Sequence, residues 1–139
     1  MIKTKSIYDK KEDIDGTRIL ITRFYPFYPR GIRKENFDRW YRDLSPSVSL
    51  LKNLKDGKIT RSIFFQFFCS DLRKNAKATE ICKKLAVESQ DKNITLLCYE
   101  KEEIFCHRHY IKQICEHELS KLQPIEFRKD KKTIIDFLN

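Results

Sequence analysis

The residues best equipped for chemistry in this chain stand together at Cys106-His107-Arg108-His109. They follow an apolar run, Ile94-Thr95-Leu96-Leu97-Cys98-Tyr99, and the loop Glu100 to Phe105. A short run that is nearly all apolar reads as a strand buried on both faces. Ile111, Ile114, Cys115, Leu119 and Leu122 recur at helical spacing, so 107–122 reads as a helix, ended by Pro124. Cys106 therefore opens a helix. A thiol there feels the positive end of the helix dipole, and a cation beside it, here Arg108, favours thiolate. Open N–H groups at the same place attract anions. Arg30, on a loop after another strand, could reach the same pocket. The chemistry this suggests is a nucleophilic or anion-binding thiolate, Cys106 with His107, clamped by two guanidinium groups. The bland alternative is that Cys106 packs and His107 caps. Cys98, Cys106, His107 and His109 are also soft metal donors. They lack the paired Cys-x-x-Cys or regular His spacing of a zinc site, so no metal is assigned.

The elements that must position these residues can be read along the chain. Lys3 to Tyr8 is a candidate strand, and Asp13-Ile14-Asp15-Gly16 a turn. Arg18 to Phe24 is apolar and β-branched, a second buried strand. Pro26, Pro29 and Gly31 then make an aromatic and cationic loop from Tyr25 to Arg33. Asn36 is a cap for a helix with Phe37, Trp40, Tyr41 and Leu44 on one face, and Trp40 is expected in the core. Ser45-Pro46-Ser47 ends it. A second helix turns Leu50, Leu51 and Leu54 inward and stops at Asp56-Gly57. Thr60 caps a third, with Phe64, Phe67, Phe68 and Leu72 inward. A fourth carries Ala78, Ile81, Cys82 and Leu85. After the strand at 94–99 and the helix at 107–122, Ile125 to Arg128 is a last short strand. A basic and apolar tail over 129–139 could dock on the body or on a partner. Strands alternating with helices predict an α/β fold, a single three-layer domain over 1–128 with a mainly parallel sheet and flanking helices. Ligands in such folds bind beyond the carboxyl ends of the strands, where the loops 25–33 and 100–105 emerge.

Length and composition narrow the class. The chain has 139 residues, enough for one domain with its own core. Hydrophobic residues are 40%, too many for a disordered chain, and no apolar run approaches a membrane span. Met1-Ile2-Lys3-Thr4-Lys5 leads into charged sequence rather than a secretory apolar stretch, so a cytoplasmic protein without membrane contact is expected. Five cysteines, an odd number, argue against a disulfide framework. Cys82 and Cys115 fall on apolar helical stripes, and Cys98 is expected to face the core rather than to pair with Cys106. The net charge is +9, and the excess is local: residues 1–79 carry 18 basic and 9 acidic groups, residues 80–139 carry 11 of each. That balance suits an anionic partner, a small molecule or a nucleic acid. No helix–turn–helix or zinc-finger signature accompanies it. Gly-rich phosphate loops and a G-x-S-x-G elbow are absent too, so no nucleotide cofactor is expected. Oligomeric state is not legible.

The blocks Arg18 to Pro26, Tyr28-Pro29-Arg30-Gly31, Phe37-Asp38-Arg39-Trp40 and Asp43-Leu44-Ser45-Pro46-Ser47, followed by Leu96 to Lys101 and Cys106-His107-Arg108, resemble the family catalogued as domain of unknown function 488. The ordered match runs over roughly residues 6–120. The resemblance implies an α/β fold with a pocket and no particular substrate. It also implies that Arg23, Arg30, Trp40, Ser47, Glu100, Cys106, His107 and Arg108 matter. The assignment that results has Cys106 and His107 as catalytic residues and Arg23, Arg30, Arg108, Glu100 and Ser47 around the anion. Thr22 departs from the pattern, which often has an acidic residue before the strand-end Arg. Phe27 and Tyr28 look inserted between two Tyr-Pro pairs. Two function classes stay open: an enzyme or anion-binding site built on Cys106, or a basic nucleic-acid-binding module using residues 1–79.

Overall fold

In the computed structural model, β4 (Ile94–Cys98) is the centre of a four-stranded parallel sheet. The structure describes residues 1–24, 36–99 and 106–122. All five β4 residues are buried, as the continuous apolar run requires. The strand order is β1-β4-β2-β3, where β1 is Ile2–Ser6, β2 is Thr17–Leu20 and β3 is Arg39–Trp40. In register, Ile2 faces Ile94 and Ser6 faces Cys98 on one side of β4. Thr17 faces Ile94 and Leu20 faces Leu97 on the other. Two further bonds, Ile7 N–H to the Cys98 carbonyl (2.8 Å) and Ile21 N–H to the Leu97 carbonyl (3.1 Å), carry the ladders to a common end. The carboxyl ends of β1, β2 and β4 thus lie side by side, as expected of this α/β class.

Among the described residues the helices are α1 (Val48–Lys55), α2 (Arg61–Lys74), α3 (Ala76–Ser89) and α4 (His107–Lys121). Their beginnings follow local chemistry. Ser47 Oγ accepts from Leu50 N–H, Thr60 Oγ1 from Ile63 N–H, and Asn75 Oδ1 from Ala78 N–H. All four helices join one core cluster with Ile2, Ile19, Ile21, Ile94 and Leu96. The opposite face of the sheet carries a smaller cluster of Ile7, Leu20 and Leu97, against which Phe37, Trp40 and Tyr99 pack. None of the described helices is long and apolar enough to cross a membrane.

The structure corrects the sequence reading at several places. No helix forms over 37–44: the chain makes the short strand β3 and a 3-10 turn over Arg42–Leu44. The helical spacing there is coincidental, because Phe37 and Trp40 pack on one side of the sheet while Tyr41 and Leu44 join the main core. Backbone bonds decide it. Asp38 N–H reaches the Arg18 carbonyl at 2.7 Å and Tyr41 N–H the Leu20 carbonyl at 2.9 Å. Trp40 is half-buried rather than a core residue. The second strand ends at Leu20, and Phe24 is exposed. Phe67 and Leu122, expected inward, are exposed as well. The turn at 13–16 is a 3-10 turn over Asp13–Asp15 closed by Gly16 at φ 63°. The expected last strand at 125–128 and the tail at 129–139 lie outside the described residues.

Candidate functional site

The site assembles where β2 and β4 end and α4 begins. Cys106 is the N-cap of α4 and almost fully buried. Cys98, the last residue of β4, places its sulfur 2.7 Å from Cys106 Sγ, with no disulfide between them. His107 is the first residue of α4. Its Nε2 lies 2.7 Å from the Ile21 carbonyl at the end of β2. A carbonyl only accepts, so Nε2 carries a proton and Nδ1 is the ring's acceptor, while the ring as a whole acts on the Cys106 thiol by lowering its pKa. Phe68 of α2 holds the ring edge-on at 5.7 Å between centroids. His109 turns back instead: its Nδ1 accepts from the Cys106 N–H at 3.0 Å, closing the first turn. Arg108 is fully buried, and its NH1 donates to Cys98 Sγ at 2.7 Å.

These contacts set the thiol chemistry. The hydrogen bond from the Cys98 thiol does most to pull the Cys106 pKa down, to about 5. Burial opposes it, while the His107 ring and the Arg108 backbone N–H add to the lowering. The expected cause is thereby revised: it is the Arg108 backbone N–H that acts on Cys106, and its guanidinium goes to Cys98. The other cysteines contrast. The Cys82 hydrogen bond and burial hold Cys115 well above the ordinary thiol range, and burial pushes Cys69 up.

A cavity of about 220 Å³ opens onto Cys106 and His107. Its walls include Thr22, Arg23 and Phe24 after β2, Arg61 and Phe65 of α2, and Tyr99 after β4. Arg23 is fixed from behind, Nε to the Pro46 carbonyl (3.0 Å) and NH2 to the Ser45 carbonyl (3.3 Å). The Tyr99 hydroxyl donates to the Phe24 carbonyl and ties the two strand ends together. A larger cavity of about 310 Å³ lies between α2, α3 and α4, but it holds none of the expected residues.

Of the residues expected at the site, Cys106, His107 and Arg23 border one cavity, and Arg108 lies behind them on Cys98. Ser47 does not enter the cavity; it caps α1. Arg30 and Glu100 lie outside the described residues. Thr22, standing where an acid is common, is buried and donates Oγ1–H to the Phe24 carbonyl at 3.0 Å. Cys98 is fully buried and unbridged, as the sequence leads one to expect, and its sulfur also meets Cys106. The member that the sequence analysis does not single out is Arg61, an arginine right after the α2 cap, where the helix dipole prefers an acid. The thiols of Cys98 and Cys106 and the His107 ring could hold a soft metal ion, their donor atoms lying within 4.8 Å of one another.

The fold and the site define a parallel α/β protein with a lowered-pKa cysteine at the strand ends. The chain belongs to the domain of unknown function 488 family: the model described as "Active DUF488-N3 subclade" matches residues 2–119. It is similar to the uncharacterized protein YeaO of Escherichia coli (strain K12), 32% identical over 98 residues, which span 69% of this chain and 80% of that protein. No solved structure matches.

Proposed function

We propose that this chain binds a small anionic molecule in the 220 Å³ cavity and attacks it with the Cys106 thiolate. One observation carries the reading: a cysteine whose pKa is lowered to about 5 borders a cavity that also presents Arg23 and Arg61. The two guanidinium groups hold a phosphate-like or carboxylate group, and Arg30 from the neighbouring loop is a third candidate. The sulfur attacks an electrophilic centre of the bound molecule. His107, oriented by its bond to the Ile21 carbonyl, takes the thiol proton and returns it to the leaving group. That the matched subclade is described as active is in keeping with a working site.

Alkylation tests it. Iodoacetamide at neutral pH should label Cys106 ahead of the other four cysteines. Inorganic phosphate or a small dicarboxylate should slow that labelling, and Arg23→Met or Arg61→Met should remove the protection. Labelling that prefers Cys69, or that no anion slows, overturns the reading. Salt-dependent binding of random RNA or DNA, with no anion effect at Cys106, would favour the nucleic-acid module instead.

A further inference from the structure

We propose that Cys106 and Cys98 form a two-cysteine centre that reduces hydroperoxides, Cys106 meeting the peroxide and Cys98 closing an intramolecular disulfide. The proposal shares Cys106 with the substrate reading above and rests on that reading only for its consequence, that the oxidised site is switched off.

Three observations carry it. The two sulfurs already lie 2.7 Å apart, from the end of β4 and the start of α4, so a bond between them needs little movement of the backbone. The cavity then separates their roles. Cys106 borders it and Cys98 does not, so a small hydroperoxide meets Cys106 first. Finally, each sulfur has its own activating group. Cys106 has His107 and the helix start, and Cys98 has the buried Arg108 guanidinium at 2.7 Å. Arginine keeps its charge at any working pH, so it favours a negative Cys98 sulfur at the moment of attack.

The steps balance. The Cys106 thiolate attacks the outer oxygen of the hydroperoxide. A sulfur–oxygen bond forms, the oxygen–oxygen bond breaks, and the alkoxide leaves with the proton that His107 took from Cys106. Cys98 sulfur then attacks Cys106 sulfur. The disulfide forms, the sulfur–oxygen bond breaks, and hydroxide leaves as water with the Cys98 proton. Two thiols and one hydroperoxide give a disulfide, an alcohol and a water, the two electrons coming from the sulfurs. An external thiol reverses the disulfide by exchange. The closeness of Cys98 also traps the sulfenic acid before a second peroxide reaches it.

The test uses the full chain, reduced, freed of reductant and kept with a chelator. One equivalent of hydrogen peroxide or of tert-butyl hydroperoxide should lower the intact mass by two hydrogens. Peptide mapping should link Cys98 to Cys106, and dithiothreitol should restore the mass. Cys98→Ser should instead gain oxygen atoms on Cys106. Cys106→Ser should consume peroxide at least roughly tenfold more slowly, as expected when the sulfur that borders the cavity is gone. Wild-type chain alkylated at Cys106 should show the same loss without relying on a variant that must fold. An unchanged mass, a link mapped to Cys82 and Cys115, or equal peroxide consumption after alkylation overturns the proposal. The two readings fail separately. A disulfide without anion protection of Cys106 removes the substrate reading only, and anion protection without the disulfide removes this one only.

Discussion

Cys106 and Cys115 lie on the same helix, are both buried and both touch another cysteine, yet their pKa values move in opposite directions. The difference is in the remaining neighbours. Cys106 sits at the helix start, bonded by the His107 ring and the Arg108 N–H. Cys115 is deep in the core, where burial and the Cys82 bond both favour the neutral thiol. The alkylation rate of Cys106 should therefore follow a midpoint at about 5, flat above it and falling as acid protonates the sulfur. Because the Cys98 bond is the largest lowering influence, Cys98→Ala should move that midpoint upward. A rate profile against pH, read by mass on the Cys106 peptide, checks both. A Cys98→Ala midpoint equal to that of the parent would show that His107 and the helix start suffice.

At the scale of elements, β3 is the part that local pattern misreads, and it is held by identifiable bonds. The Trp40 indole N–H donates to the Thr22 carbonyl at 2.8 Å, and the Arg42 guanidinium lies 4.1 Å over its ring. Arg39 bridges to Glu88 of α3 at 2.7 Å. Trp40→Phe keeps most of the packing but loses the indole bond, so it should cost about 1 kcal/mol. Urea unfolding with an unchanged slope and a lower midpoint is the expected result. The joint between α2 and α3 rests on Asn75, which ends one helix and caps the next. Asn75→Ala should cost about 1 kcal/mol in the same assay. Gly16 is a sharper case. Its φ is 63°, and an added Cβ would lie 2.0 Å from the Asn93 carbonyl oxygen. Gly16→Ala must therefore displace the turn that feeds β2, and it should destabilise by more than about 1 kcal/mol.

Across the whole molecule, the chain charges one face of its sheet. Asp15 and Arg18 are both buried and meet at 2.6 Å, with Lys5 from β1 at 2.8 Å from the second Asp15 oxygen. Arg18 also donates from Nε to the Asn36 carbonyl at 2.8 Å, so the pair ties the 3-10 turn, β1, β2 and the entry to β3 together. Burial alone would raise the Asp15 carboxyl. The bonds from Lys5, the Glu12 N–H and Arg18 outweigh it and hold the group below the usual carboxylate range. Its folded pKa is thus lower than its unfolded value, about 3.9. The stability it contributes is complete above that value and is lost as pH falls through the folded one. Thermal melts should lose midpoint below about pH 4, and Asp15→Asn should flatten part of that loss. Asp15→Ala leaves a buried guanidinium without its carboxylate and should cost about 3–5 kcal/mol.

What sequence alone determines here is what short-range chemistry encodes. Continuous burial marks β4, the cap residues Ser47, Thr60 and Asn75 start their helices, and Cys106 stands at a helix start because apolar spacing resumes just after it. The family was legible from ordered blocks. Tertiary structure decides what spacing cannot carry. Phe37 to Leu44 has helical periodicity, but sheet bonds from Arg18 and Leu20 hold it extended. Cys98 is a core residue by pattern and in the fold, and its contact with Cys106 is made only when α4 packs against the end of β4. Arg61 and Arg23 are 38 positions apart in sequence, and only the packing of α2 over the strand ends puts them on one cavity. His107 finds the Ile21 carbonyl 86 residues away. Caps and periodicities are properties of a few consecutive residues, whereas these contacts join segments that meet only once the sheet has formed.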